Sequence, residues 1–118
     1  IYTQFEVIHK LAAKSSCVII GRCSNYILKD RDDCLNIFVY APDEFKVKHI
    51  MEQKGISEKE AKKLVKYNDG MLKSRYEYMT NSDMRDCRTR HMMIDSSILG
   101  LEKTAKYIMQ LIDLRFEN

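Results

Sequence analysis

The chain has 118 residues, of which 31% are charged and 45% apolar, the balance of a single small globular domain with a real core. A net charge of +3 leaves room for an anionic ligand without the basic bias of a nucleic-acid binder. No apolar run approaches the ~20 residues of a membrane span, and no signal peptide is visible, so the expected compartment is cytoplasmic and no membrane partner is expected.

In chain order, residues 1–14 carry Tyr2, Phe5, Ile8 and Ala12 at helical spacing. The chain enters this periodicity at Ile1, where a natural start is usually polar and frayed; this raises the expectation of a fragment. Residues 17–21, with Val18, Ile19 and Ile20 unbroken, read as a first buried strand. Residues 24–28 read as a short helix or turn, and KDRDD at 29–33 as a solvated loop. LNIFVY at 35–40 is a second strand, rich in β-formers. Pro42, Asp43 and Glu44 start a helix that ends at Gly55. Ser57 and Glu60 form a capping box that opens a long helix to about Thr80, with Gly70 as its weak point. Residues 81–90 read as a polar loop, and 91–95 as a third strand. Residues 100–115 form an amphipathic helix with Leu101, Ala105, Ile108, Met109 and Ile112 on one side.

Apolar strands alternating with helices predict an α/β domain over residues 1–118, a parallel sheet with helices on both faces. Ligands of such sheets bind beyond the C-terminal ends of the strands. That places Arg22 beside residues 40–41 and 95–97. Arg22 reads either as a fork gripping a phosphate or carboxylate, or as an exposed arginine paired with an acid.

On the long helix, Lys62, Lys66, Asp69 and Lys73 share a stripe that reads as a solvated face, opposite Leu64, Val65, Met71 and Leu72. Arg75 falls on the apolar side, where a charge must snorkel or reach an anion. With Arg85, Arg88 and Arg90 following, residues 66–90 are a candidate phosphate-closing lid, expected to be the most mobile part of the chain. Tyr67, Tyr76 and Tyr78 either stack on a base or pack the helix. Asp95, Ser96 and Ser97 are either a polar cluster near a nucleotide or a cap for the last helix.

The four cysteines form no C-x-x-C pair, and His9, His49 and His91 stand at no ligand spacing to them, so reduced thiols and no metal site are expected. There is no G-x-x-x-x-G-K-[ST], G-x-S-x-G, H-E-x-x-H or G-x-G-x-x-G.

Four segments in order, SCVIIGRCSNYIL, NIFVYAPDEFKVKHIME, GISEKEAKKLVKYNDGMLKSRYEYMT and MMIDSSILGLEKTAKYI, together resemble the cytidylate kinase-like family of P-loop nucleotide kinases. The resemblance runs from about residue 7 to 112. It implies a nucleoside-monophosphate kinase type of fold, whose N-terminal strand and Walker A loop this sequence lacks. It further implies transfer of the ATP γ-phosphoryl, with Mg²⁺, to a nucleoside monophosphate (CMP-like) or related small acceptor. It gives Arg22, with Asp69 and Tyr76, to the acceptor nucleotide, and places Lys73 and Arg75 near the transferred group. Cys23 stands where bacterial cytidylate kinases carry an acid, and NDGMLKSR replaces their Arg- and Asp-dense run. The chain alone is expected to be inactive. The alternatives are a non-catalytic nucleotide-binding or regulatory module, and an oligomerisation piece whose open sheet edge another copy covers.

Overall fold

The computed structural model describes residues 2–117. Ile1, where the first helical pattern begins, lies outside the described residues, as does the side chain of Tyr2. Helix α1 spans Tyr2–Lys14, and the expected spacing holds: Ile8 is buried, with Phe5 and Ala12 packed beside it. Helix α2, Ser24–Ile27, is a single turn that buries Asn25 and Ile27. Cys23, Ile27 and Leu28 meet Ile8 and Tyr76 in one apolar cluster.

Residues 17–21 are not a strand. Only Ile19 packs inward, while Val18 and Ile20 are each 87% exposed. A strand exists only where its N–H and C=O groups meet a neighbour's. Among the described residues no strand runs beside this segment, so the apolar run stays irregular and open.

The sheet has two parallel strands, β1 (Ile37–Tyr40) and β2 (Met92–Asp95), in register Ile37 to Met92 and Tyr40 to Asp95. Between them come α3 (Asp43–Lys54) and α4 (Glu58–Thr80). Pro42 stands at the N-cap of α3, and Gly55 ends it at φ 64°, its N–H donating to the Met51 carbonyl at 2.9 Å. Ser57 caps α4, its Oγ accepting from the Glu60 N–H at 3.2 Å. Val47, Ala61 and Val65 pack the two helices together; Ala61 is fully enclosed, so the helices approach closely there.

Helix α4 runs 23 residues without a break at Gly70. Its buried line is Ala61, Val65, Tyr76 and Thr80; of the expected arc, Val65 is buried and Leu64 half-buried. Met71 and Leu72 are exposed, and Asp69 leaves the solvated stripe to become half-buried. Arg75 therefore needs no rescue from an apolar wall, because its side of the helix is open. Of the candidate lid, 66–80 is the second half of α4, and 81–91 is a connection that contains one 3-10 turn at Cys87–Thr89.

Helix α5, Leu101–Phe116, follows β2. Thr104 is buried and Ile108 and Ile112 are half-buried, whereas Leu101, Ala105 and Met109 are exposed, against expectation. Neither serine after β2 caps this helix. Gly100 holds the N-cap position at φ 82°, Ser96 Oγ donates to the Tyr40 carbonyl at 3.2 Å, and Ser97 Oγ donates to Asp95 Oδ1 at 2.7 Å.

The assembly is open. It exposes 9087 Å², where a compact monomer of 13.9 kDa exposes about 6,700 Å². The radius of gyration is 15.9 Å against about 13.5 Å for a compact domain of this length. Exposed large apolar side chains occur on α5, on α4 and on the unpaired 17–20 segment.

Candidate functional site

The chain bends sharply after Ile20. Gly21, Arg22 and Cys23 take φ values of 67°, 61° and 58°, and the Ser24 N–H closes the turn on the Gly21 carbonyl at 3.1 Å. Glycine adopts this left-handed backbone freely; Arg22 and Cys23 do so at about 1–2 kcal/mol each. Strain of this kind concentrates where a side chain must be held for a ligand. The Gln4 side chain supports the turn by donating to the Arg22 carbonyl at 3.3 Å. The Arg22 side chain itself is exposed and has no ion-pair partner among the described residues.

Two further guanidiniums come to this turn. Cys23 is buried beneath it, and its thiol feels three influences: burial pushes its pKa up, while the charges of Arg75 and Arg90 pull it down. Arg75, exposed on α4, stands near enough for its charge to act on that thiol. Arg90 reaches it from the end of the connection, its Cζ 4.7 Å from the Phe38 ring centroid and 5.9 Å from that of Tyr76. Arg90 donates to the Met84 carbonyl at 3.0 Å, yet its buried Nε has no hydrogen-bond partner, and burial lowers its pKa. The other arginines of the connection are engaged locally. Arg88 forks onto Asp86 at 2.6 Å, which holds that carboxyl down at about 2, and Arg85 faces Asp83 at 3.9 Å. Arg22, Arg75 and Arg90 are thus the arginines around the turn that lack a carboxylate among the described residues.

Tyr76 is 5% exposed, so its ring packs the cluster and leaves no face for a base. Its hydroxyl accepts from Asn25 Nδ2 at 2.9 Å. Lys73 is not brought to this place. Two helical steps set it about 200° around α4 from Arg75, and its side chain is exposed. Asp69 belongs elsewhere too: it pairs with Lys46 at 2.8 Å and lines a cleft of about 270 Å³ at the C-terminal ends of the strands, with Tyr40, Phe45, Val65 and Ser96. Arg22 does not line this cleft. The segment before it never joins the sheet, so its end is not carried to that edge. Sequence reasoning passed over Asn25, whose burial is decided by partners far along the chain.

The arrangement suits an anion: the exposed Arg22 and Arg75 and the half-buried Arg90, none paired with a carboxylate among the described residues, lie on the segments around a strained turn. A metal ion is another matter. Among the described residues no three His, Cys, Asp or Glu side chains gather to hold one. The described residues do not fit a Mg²⁺ held by the protein alone.

The burial of Cys23 has a direct consequence. Alkylation of the native protein is expected to modify the exposed Cys17 and Cys87 quickly and Cys23 slowly, read by mass spectrometry of peptides. Equal rates at all three would show that the turn is not packed as described.

No helix among the described residues is long and apolar enough to cross a membrane. No curated protein matches the chain. A crystal structure of an uncharacterised protein from Eubacterium ventriosum is similar at a TM-score of 0.84 and 32% identity, over 92% of this chain and 62% of that one. The chain thus spans less than two thirds of that protein's length. The model of the cytidylate kinase-like family matches residues 1–98, which include the Gly21–Cys23 turn, all of α4 and the connection that carries Arg90. By that match, the chain belongs to the cytidylate kinase-like family.

Proposed function

We propose that this chain carries the acceptor side of a phosphotransferase, which in the intact protein moves the γ-phosphoryl of ATP to a nucleoside monophosphate (CMP-like) or related small acceptor. The observation that carries the reading is that Arg22, Arg75 and Arg90, none with a carboxylate partner among the described residues, lie on three segments that Asn25, Tyr76 and Thr89 join at the Gly21–Cys23 turn, in a chain of this family. Phosphoryl transfer leaves little covalent work for side chains; it needs in-line placement and neutralisation of charge on the phosphate oxygens. Arg22 and Arg75 would grip the acceptor phosphate, and Arg90 would add fixed positive charge behind them. Mg²⁺ would arrive on the ATP phosphates. The sequence has no G-x-x-x-x-G-K-[ST] loop, so in this reading donor binding is not the task of these residues. The intact protein would have the P-loop nucleotide-kinase type of fold and work in the cytoplasm, with 81–91 as the part of the lid that moves. The open face of the chain would be covered there by other polypeptide, from the same protein or a second copy.

The test is a phosphoryl-acceptor screen on the intact protein with γ-labelled ATP and Mg²⁺. Label appearing on CMP or another nucleoside monophosphate is the expected result. Tight acceptor binding with no transfer to any of them would replace the enzyme by a nucleotide-binding module.

A further inference from the structure

Asn25 is 6% exposed and lies three residues beyond Arg22. Its Nδ2 donates twice, to Tyr76 Oη at 2.9 Å and to Thr89 Oγ1 at 3.0 Å, partners 51 and 64 residues away. Each element so joined carries one of the three arginines. Arg22 precedes Asn25 on the turn, Arg75 immediately precedes Tyr76 on α4, and Arg90 immediately follows Thr89 on the connection. The geometry points to Asn25 as the positioning residue that holds Arg22, Arg75 and Arg90 in one register for the acceptor phosphate, a role that rests on the anion-site reading above.

The chemistry of the group suits the task. Three guanidiniums repel one another while no anion is bound, so their spacing has to come from uncharged groups. A carboxamide supplies two donors in one plane without adding charge. The Thr89 hydroxyl hydrogen is directed to the Asp86 carbonyl at 3.2 Å, which leaves its oxygen lone pairs for Asn25. An aspartate in place of Asn25 has no N–H to offer that oxygen. The connection is otherwise secured by Met84 at the apolar cluster, by Arg90 over Phe38, and at its far end by His91, whose N–H donates to the Asn36 carbonyl at 2.7 Å and whose Nδ1 accepts from the Asn36 N–H at 2.8 Å.

The experiment compares Thr89→Val, Thr89→Ser and Asn25→Leu with the parent chain, by hydrogen exchange of residues 84–91 and by calorimetry with inorganic pyrophosphate. Thr89→Val is expected to speed exchange there and weaken pyrophosphate binding, each by roughly tenfold, the scale of one buried hydrogen bond and its stranded partner. Thr89→Ser restores both, and the α3–α4 hairpin exchanges at parent rates throughout. Asn25→Leu does the same or more; should it fail to fold, Thr89→Val carries the test alone. Unchanged exchange of 84–91 in Thr89→Val overturns the role of Asn25. So does unchanged affinity in Thr89→Val while Arg22→Ala lowers it. If Arg22→Ala itself leaves affinity unchanged, the anion-site reading fails, and a holding role for Asn25 stands or falls on the exchange rates.

Discussion

Tyr76→Ala is expected to destabilise the fold by about 3–5 kcal/mol, the range for truncating a buried aromatic. Small domains have roughly 5–15 kcal/mol in total, so the variant should be largely unfolded at modest urea. The reason is position. Tyr76 is the point on α4 where α1 and α2 meet the helix, through Ile8, Cys23, Ile27 and Leu28. No large side chain in the described residues is fully enclosed, so the few at 4–8% exposure form the core. Removing the ring also takes away one face of the Arg90 contact and one of the two acceptors of Asn25 Nδ2. Tyr76→Phe separates these effects. It keeps the packing and loses the hydroxyl, and should cost only about 1–2 kcal/mol. Chemical denaturation of both variants provides the check. A Tyr76→Ala protein within 1 kcal/mol of the parent, an order-of-magnitude bound on surface changes, would mean that this cluster is not what holds α1 and α2 to the rest.

What could be read from the sequence divides along the range of the interactions involved. Helix α3 and the start of α4 were legible because Pro42, Gly55, Ser57 and Glu60 act within one turn of themselves. Strand β1 was legible to within two residues from its β-branched and aromatic run, and β2 to within one as a short apolar stretch between polar segments. Residues 17–21 show the limit. VII is a good strand by composition, but pairing is non-local, and no strand among the described residues offers it a ladder. The helix count misled on α4 because it takes the apolar side to be the buried side. Here Met71 and Leu72 look outward, while Asp69 turns in to reach Lys46. The same locality rule governs the site. Gly21 with Arg22 is a local turn and could be found by eye. That Arg75 shares its place and Lys73 does not follows from how α4 is rotated against Cys23, which packing alone decides. Asn25 left no signal at all, since its value lies in Tyr76 and Thr89.

The largest functional effect is expected at Arg22. In the intact protein, Arg22→Ala should weaken acceptor binding by about 1.5–3 kcal/mol, the worth of a charge-assisted hydrogen bond, or roughly 10- to 150-fold in Kd. Arg22→Lys keeps the charge but not the planar fork, and should recover only part of the loss. The backbone supplies a control that few binding residues allow. Arg22 sits at φ 61°, where any residue with a Cβ is strained by about 1–2 kcal/mol. Its side chain has no ion-pair partner among the described residues, and the one hydrogen bond that ties it down uses its carbonyl. Arg22→Gly therefore relieves the strain and removes no contact of the fold, offset in part by glycine's greater freedom when unfolded. This variant should bind acceptor as poorly as Arg22→Ala while unfolding at an equal or higher urea concentration than the parent. A residue kept for stability behaves in the opposite way. Calorimetry with CMP, read beside urea unfolding of the same preparations, distinguishes the two. Lower stability in Arg22→Gly with affinity unchanged would make Arg22 a structural residue and move the search for the acceptor phosphate to the cleft beside Asp69 and Lys46.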